Sequence, residues 1–252
     1  MELFTDTLFI NLTHRTDRLS HILEQFDKLG ISGERVDAIK TSNGAIGCTQ
    51  SHIKCLEIAI ERDFEQVFIC EDDIDFLDVN LFKQNFVKFA QNKEISWDVI
   101  IIGGNNVPPY QQVTDYCARV FYCQTTTGYL VKKSYFNTLL QNFKLGLALL
   151  LQNPTRKSEF AIDMYWKRLQ LQDYWYMITP PTVLQYQSYS DIECRNTDYT
   201  MMLDMEKEWY VKQQLALKMK KMNIYLIILF ILLIKKSNAI ILIKKFLNYF
   251  TT

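Results

Sequence analysis

The chain has 252 residues, of which 48% are hydrophobic and 22% charged. That length supports a sizeable core, and the composition excludes a disordered chain, a collagen and a disulfide mini-scaffold. Net charge is zero, so nothing global points to nucleic acid. The zero hides an asymmetry, however: residues 1–204 carry 19 Lys+Arg against 26 Asp+Glu, and residues 205–252 carry 9 Lys against 2 Glu.

Hydrophobic periodicity predicts the elements in order. Residues 7–12 read as a buried strand. Thr16 caps a helix over 17–29, with Leu19, Ile22, Leu23, Phe26 and Leu29 on one stripe and Gly30 as its stop. A second strand follows at 35–39 and a second helix at 49–63. Residues 66–70 form a third strand, which runs straight into Glu71-Asp72-Asp73-Ile74-Asp75. A helix over 81–90 precedes a fourth strand at 98–102, halted by Gly103-Gly104. This alternation argues for an α/β fold, a mostly parallel sheet with helices on both faces. The second half is less regular. Strands at 120–123 and 128–131 flank Thr125-Thr126-Thr127, helices lie near 134–142 and 160–171, and short strands near 175–178 and 183–186. No repeat or long linker divides the body, so one domain, 1–204, is expected with an appended tail, 205–252.

In that tail, 224–234 is an unbroken apolar run interrupted by Lys235-Lys236. As a helix it spans about 16 Å, short of a hydrocarbon core of about 30 Å. A thinned-bilayer span, an interfacial anchor on anionic lipid and a helix packed on the body all stay open. No signal-peptide pattern opens the sequence, so a cytoplasm-facing body is expected, with possible contact to a membrane surface through the tail. The six cysteines form no C-x-x-C pair and read as reduced core thiols.

The acidic cluster carries the chemistry. Carboxylates crowded at the end of a buried strand repel one another, and a divalent cation relieves them. Asp73-Ile74-Asp75 is a D-x-D, which in extended backbone sets two carboxylates on one side to hold a metal that in turn holds a diphosphate. The alternative is an acidic turn capping the next helix. A phosphatase D-x-D would continue with Thr or Val, but Phe76-Leu77 follow. No G-x-x-x-x-G-K-[ST] is present, and an EF-hand fails at Asp78 and Gln84. A nucleotide-diphosphate site in an α/β sheet is left. Arg15 and Arg18, on the first turn of the first helix, either contact nucleotide or pair with Asp17 or Glu24.

Several segments together resemble glycosyltransferase family 25, a family containing lipopolysaccharide-type sugar transferases and procollagen galactosyltransferases. They are Ile10-Asn11-Leu12 with Arg15 and Asp17-Arg18, Arg35-Val36-Asp37-Ala38-Ile39, Gly47-Cys48-Thr49-Gln50-Ser51-His52 and Glu71-Asp72-Asp73. The likeness continues through Trp97-Asp98, Thr126-Thr127-Gly128, Ala161-Ile162-Asp163 and Gln187 to Glu193. It implies a GT-A-like (Rossmann-like) fold and transfer of a hexose, galactose by analogy, from a nucleotide sugar to a hydroxyl on a glycan, glycolipid or protein.

By the same resemblance the cofactors are Mn²⁺ or another divalent cation and a UDP-sugar. Asp73 and Asp75 become the metal ligands. Asn11, Arg15, Arg18 and Asp37 line the nucleotide, and Gly47, Ser51, His52, Asp72 and Thr127 join the donor site. Asp163, an acid among Ile162, Met164, Tyr165 and Trp166, is the expected base of an inverting reaction. No histidine follows His52, so Asp191 or Glu193 would serve as a late oxygen ligand or alternative base. A membrane-tethered nucleotide-sugar binder without catalysis is the competing reading.

Overall fold

A computed structural model of the chain describes residues 2–187, 189, 190, 195–217, 219, 222, 224 and 225. Two compact units are present, Met1–Glu206 and Lys207–Thr252. In the second, residues 208–217 are helical. Most of the apolar run at 224–234 lies outside the described residues, and among those described no helix is long and apolar enough to cross a membrane.

The first unit runs, after a short 3-10 turn, through β1 (Thr7–Asn11), α1 (Thr16–Leu29), β2 (Glu34–Asp37), α2 (Gly44–Glu61), β3 (Gln66–Glu71), β4 (Ile74–Phe76) and α3 (Val79–Gln91). It continues with β5 (Val99–Asn105), β6 (Tyr110–Thr114), β7 (Cys117–Val120), β8 (Gln124–Lys132) and α4 (Phe136–Gln152). Three single turns, α5 (Lys157–Phe160), α6 (Ile162–Tyr165) and α7 (Lys167–Gln170), lead to β9 (Trp175–Ile178) and β10 (Val183–Gln185). A small ribbon, β11 (Tyr189–Ser190) with β12 (Arg195–Asn196), follows.

The main sheet has the order β2-β1-β3-β8-β5-β9-β7-β6. β1 pairs in parallel with β2 and β3, and β5 with β9. β8 lies antiparallel between β3 and β5, and β7 antiparallel between β9 and β6. Every strand of this sheet except β7 and β8 therefore points the same way, the mostly parallel arrangement the sequence suggested.

Strand alternation sorts the apolar side chains onto two faces. Leu8, Ile10, Val67, Ile69, Val99 and Ile101 pack with Leu56 and Ala59 of α2 and Leu139 and Phe143 of α4. Phe9, Phe68, Cys70, Ile100 and Ile102 pack with Ile22 and Phe26 of α1 and Phe82, Phe86 and Phe89 of α3. Each such side chain taken fully out of water contributes about 1.5–3 kcal/mol. Cys48, Cys55, Cys70, Cys117 and Cys123 are free thiols, as expected.

Several boundaries differ from the sequence reading. α2 starts at Gly44 rather than near 49, because Asn43 caps it by accepting the Ala45 N–H at 3.2 Å. β7 ends at Val120, and β8 absorbs the Thr125-Thr126-Thr127 segment expected as a connection. α4 runs ten residues past 142. The expected helix over 160–171 is broken at Ala161, whose ψ of 151° is extended.

Candidate functional site

A cavity of about 670 Å³ opens at the carboxyl ends of the parallel strands. Its walls come from the ends of β1 and β3, the start of the reversed strand β8, the first turn of α1, the amino half of α2, and α6. Chain ends collect here because parallel strands release their last residues at one edge, where helix starts also gather.

The first wall is a carboxylate–guanidinium network. Arg18 Nη1 donates to Asp72 Oδ1 and Asp73 Oδ2, each at 3.0 Å. Asn11 Nδ2 donates to Asp72 Oδ2 at 2.7 Å, and Arg35 Nε donates to Asn11 Oδ1 at 3.0 Å. The Asp72 and Asp73 side chains are almost fully buried. Burial lifts both carboxyls above their ordinary range, against the pull of Arg18. Asp73, which also feels the Glu71 charge, is pushed up to about 7.

Glu71 ends β3 beside this network. Its Oε1 accepts from Thr126 Oγ1, from His52 Nε2 at 3.3 Å and from the Cys48 thiol at 3.7 Å. Burial raises the Glu71 carboxyl, but the contacts to His52 and Thr126 and the Arg18 charge outweigh it, so it lies below its ordinary value. His52 Nδ1 is hydrogen-bonded to Tyr129 OH at 2.8 Å, and the ring is 1% exposed. Burial and the Glu71 charge hold the Cys48 thiol well above the usual thiol range.

Asp163, on α6, lines the same cavity. Its Oδ2 accepts the backbone N–H of Thr125 at 3.0 Å. Burial raises its carboxyl, opposed by that bond and by Lys167 and reinforced by Glu71.

Of the residues singled out in the sequence, Arg15, Arg18, Ser51, His52, Asp72, Asp73 and Asp163 reach the cavity wall. Arg15 is clamped through two bonds, of 3.0 and 2.8 Å, to Asp17. Asn11 and Asp37 do not line the cavity: Asn11 is buried in the Arg18 network, and Asp37 is exposed and paired with Arg35 at 3.0 Å. Ser51 is a brace: it donates to Gly47 O and accepts from Ile39 N, both at 2.8 Å. Gly47 lies inside α2 rather than before it. A Cβ there would sit 2.2 Å from Ile39 O, and this close approach explains the glycine. Thr127 is fully buried.

Asp73 and Asp75 do not share a wall. Residues 72 and 73 form the turn between β3 and β4, so strand alternation does not run through Asp73, and Asp75 sits opposite Leu184 in the β4–β10 pair. Only Asp73 of the two lines the cavity. Asp191 and Glu193 lie outside the described residues. Of the aromatics, Tyr129, Trp166, Trp175 and Tyr176 are core.

Thr125, Thr126 and Gln185 enter the site without having stood out in the sequence. A reversed strand inserted between β3 and β5 brings the first two there, and Gln185 Nε2 approaches Asp73 Oδ1 at 3.5 Å from β10. Cys48 and His52, four apart on α2, could have been found as neighbours on one helix face.

A hard divalent cation suits the oxygen donors here. Asp73 is a buried carboxyl that shares the one Arg18 guanidinium with Asp72 and feels the Glu71 charge. The protonated Cys48 thiol is not a ligand for such an ion.

Residues 40–149 match the family model described as "Glycosyltransferase family 25 (LPS biosynthesis protein)". Among curated proteins the chain is similar to the mouse "Inactive glycosyltransferase 25 family member 3", 25% identical over 141 residues, 44% of this chain and 24% of that one. The human protein of the same description is 24% identical over 140 residues, 43% of this chain and 23% of that one. The match thus spans about a quarter of each relative. Among solved structures, a glycosyltransferase involved in glycosylation of the major capsid of PBCV-1 aligns with a TM-score of 0.38 at 10% identity, over 69% of this chain and 92% of that one.

Proposed function

We propose, from the match of residues 40–149 to the glycosyltransferase family 25 model, that the chain transfers a hexose from a nucleoside-diphosphate sugar to a hydroxyl acceptor with inversion. One observation carries the reading: a half-buried carboxyl, Asp163, shares a cavity with the carboxylate–guanidinium wall of Arg18, Asp72 and Asp73. The two features divide the labour such a transfer needs.

Departure of the diphosphate leaves negative charge on the leaving group. Arg18, fixed by two carboxylates, offers a guanidinium that is already oriented and costs no reorganisation. Asp73 would hold a divalent cation, which supplies further positive charge to the diphosphate when bound. On the opposite face Asp163 takes the acceptor proton as the hydroxyl oxygen attacks the anomeric carbon and the carbon–diphosphate bond breaks. Its raised carboxyl makes it a better proton acceptor than an exposed aspartate. A UDP-sugar, galactose first, is the donor we assign, with a glycan, glycolipid or protein acceptor. The basic apolar tail would bring the body to a membrane surface.

The test is donor turnover by the purified full chain with Mn²⁺ and a panel of UDP-, GDP- and CMP-sugars. Turnover of a UDP-hexose is expected. A second reading, a donor-binding protein without catalysis, is favoured by the descriptions of the mouse and human relatives. Tight donor binding with no turnover of any donor would establish it instead.

A further inference from the structure

The Cys48–His52–Glu71 cluster has no part in the transfer just described, yet its geometry is specific. A thiol sulfur, an imidazole nitrogen and a carboxylate oxygen, all on the cavity wall, lie within 4.8 Å of one another. For zinc, bonds of about 2.3 Å to sulfur, 2.0–2.1 Å to nitrogen and 2.0–2.2 Å to oxygen make tetrahedral edges of about 3.3–3.7 Å. The His52 Nε2 to Glu71 Oε1 distance is 3.3 Å and the Cys48 Sγ to Glu71 Oε1 distance is 3.7 Å. Two edges of the tetrahedron are in place before any ion arrives.

The surroundings are those of a ligand set. Cys48 and His52 are one turn apart on α2, a rigid helix that fixes their separation. The far nitrogen of His52 is held by Tyr129 OH at 2.8 Å, the outer contact that orients a metal-binding imidazole. Glu71 is steadied by Thr126 Oγ1. All three residues line the cavity, which provides the access route.

We propose that Cys48, His52 and Glu71 form a binding site for a thiophilic divalent cation of the zinc class, with three protein ligands and one open position. On binding, the Cys48 thiol gives its proton to solvent and its sulfur becomes thiolate. His52 moves its ring proton to Nδ1, where it donates to the Tyr129 oxygen, freeing the Nε2 lone pair. One thiolate and one carboxylate neutralise the doubly charged ion, so the loaded cluster adds no net charge to a poorly solvated place. The thiol excludes Mg²⁺ and Mn²⁺ as preferred occupants. The site stands whether or not the cavity performs sugar transfer.

Cobalt(II) titration of the reduced full chain tests this without any activity readout. A thiolate-to-cobalt charge-transfer band is expected, with the visible bands of tetrahedral coordination, saturating at one ion per chain and bleached by Zn²⁺ but not by excess Mg²⁺. Cys48→Ser should remove the charge-transfer band. Tyr129→Phe should keep the band and weaken the affinity about 10- to 100-fold. Absence of the band in the unmutated protein, or its persistence in a Cys48→Ser protein with native circular dichroism, overturns the proposal. If Cys48→Ser fails to fold, His52→Gln takes its place, and an unaltered cobalt spectrum in that variant is equally decisive against the site.

Discussion

The backbone N–H of Thr125 points at Asp163 Oδ2 from 3.0 Å, and Thr125 reaches that position in the left-handed region, at φ 70°. A β-branched residue adopts that conformation at a cost of order 1–3 kcal/mol. The fold thus spends stability to aim a carboxyl into the cavity. Asp163→Asn keeps an oxygen for the Thr125 donor and removes the proton-accepting charge. It should lower kcat/KM about 10²- to 10⁴-fold for the best donor while leaving the circular dichroism and donor Kd unchanged. Full activity in this variant would move the base elsewhere.

Asp73 makes stability depend on pH in the direction opposite to a salt-bridged surface carboxylate. Folded, it holds its proton up to about pH 7; its ordinary value is 3.8. Between these values the folded chain binds the extra proton, so stability from this group is fully present below 3.8 and is lost as pH rises through about 7. Asp72 is raised too and adds to the same slope, whereas Glu71, lowered, opposes it. Asp73→Asn should flatten the decline in Tm between pH 4 and 7. Mn²⁺, which binds the ionised carboxylate, should raise the Tm of the unmutated chain most at and above pH 7 and do nothing for the variant.

Arg18 is the common partner of both carboxylates, so its removal strands two buried acids. Arg18→Met preserves much of the packing and none of the charge. It should destabilise the fold by about 3–5 kcal/mol at pH 7.5. The loss should shrink at pH 5, where Asp73, and with it part of the charge repulsion, is neutral. Urea melts at the two pH values measure the difference, and an equal loss at both would show that the guanidinium acts by packing alone.

Much of this was legible because it is local. The β-α alternation of the first hundred residues follows from continuous apolar runs such as Val67 to Cys70 and the Ile22–Phe26–Leu29 stripe, and it predicts where the acidic cluster must surface. The place of β8 was not legible, since a strand inserted between β3 and β5 is set by pairing that reaches back some sixty residues to β3. Without that insertion Thr125, Thr126 and Tyr129 have no visible link to Asp163, Glu71 and His52. The D-x-D reading assumed extended backbone through Asp73, but the turn at Asp72-Asp73 rotates Asp75 away. Close packing rather than a turn accounts for Gly146 inside α4, where a Cβ would meet the Tyr165 ring at 2.9 Å.

Gly47 gives the sharpest test of that last point. As a helix-interior glycine it should by propensity be improved by alanine, by about 1 kcal/mol. The added Cβ, however, would sit 2.2 Å from the Ile39 carbonyl oxygen, and backbone on both sides leaves little room to yield. Displacing either piece also strains the bond from Ile39 N to Ser51 Oγ, which ties β2's exit to α2 at the cavity wall. The clash should win, so Gly47→Ala is expected to lose about 1–3 kcal/mol in urea unfolding. Donor affinity should fall with it, because Ile39 and Cys48 line the cavity on either side of this contact. A variant as stable as the parent would mean that α2 can slide relative to Ile39, and that the wall carrying Cys48 and His52 is less rigid than its packing indicates.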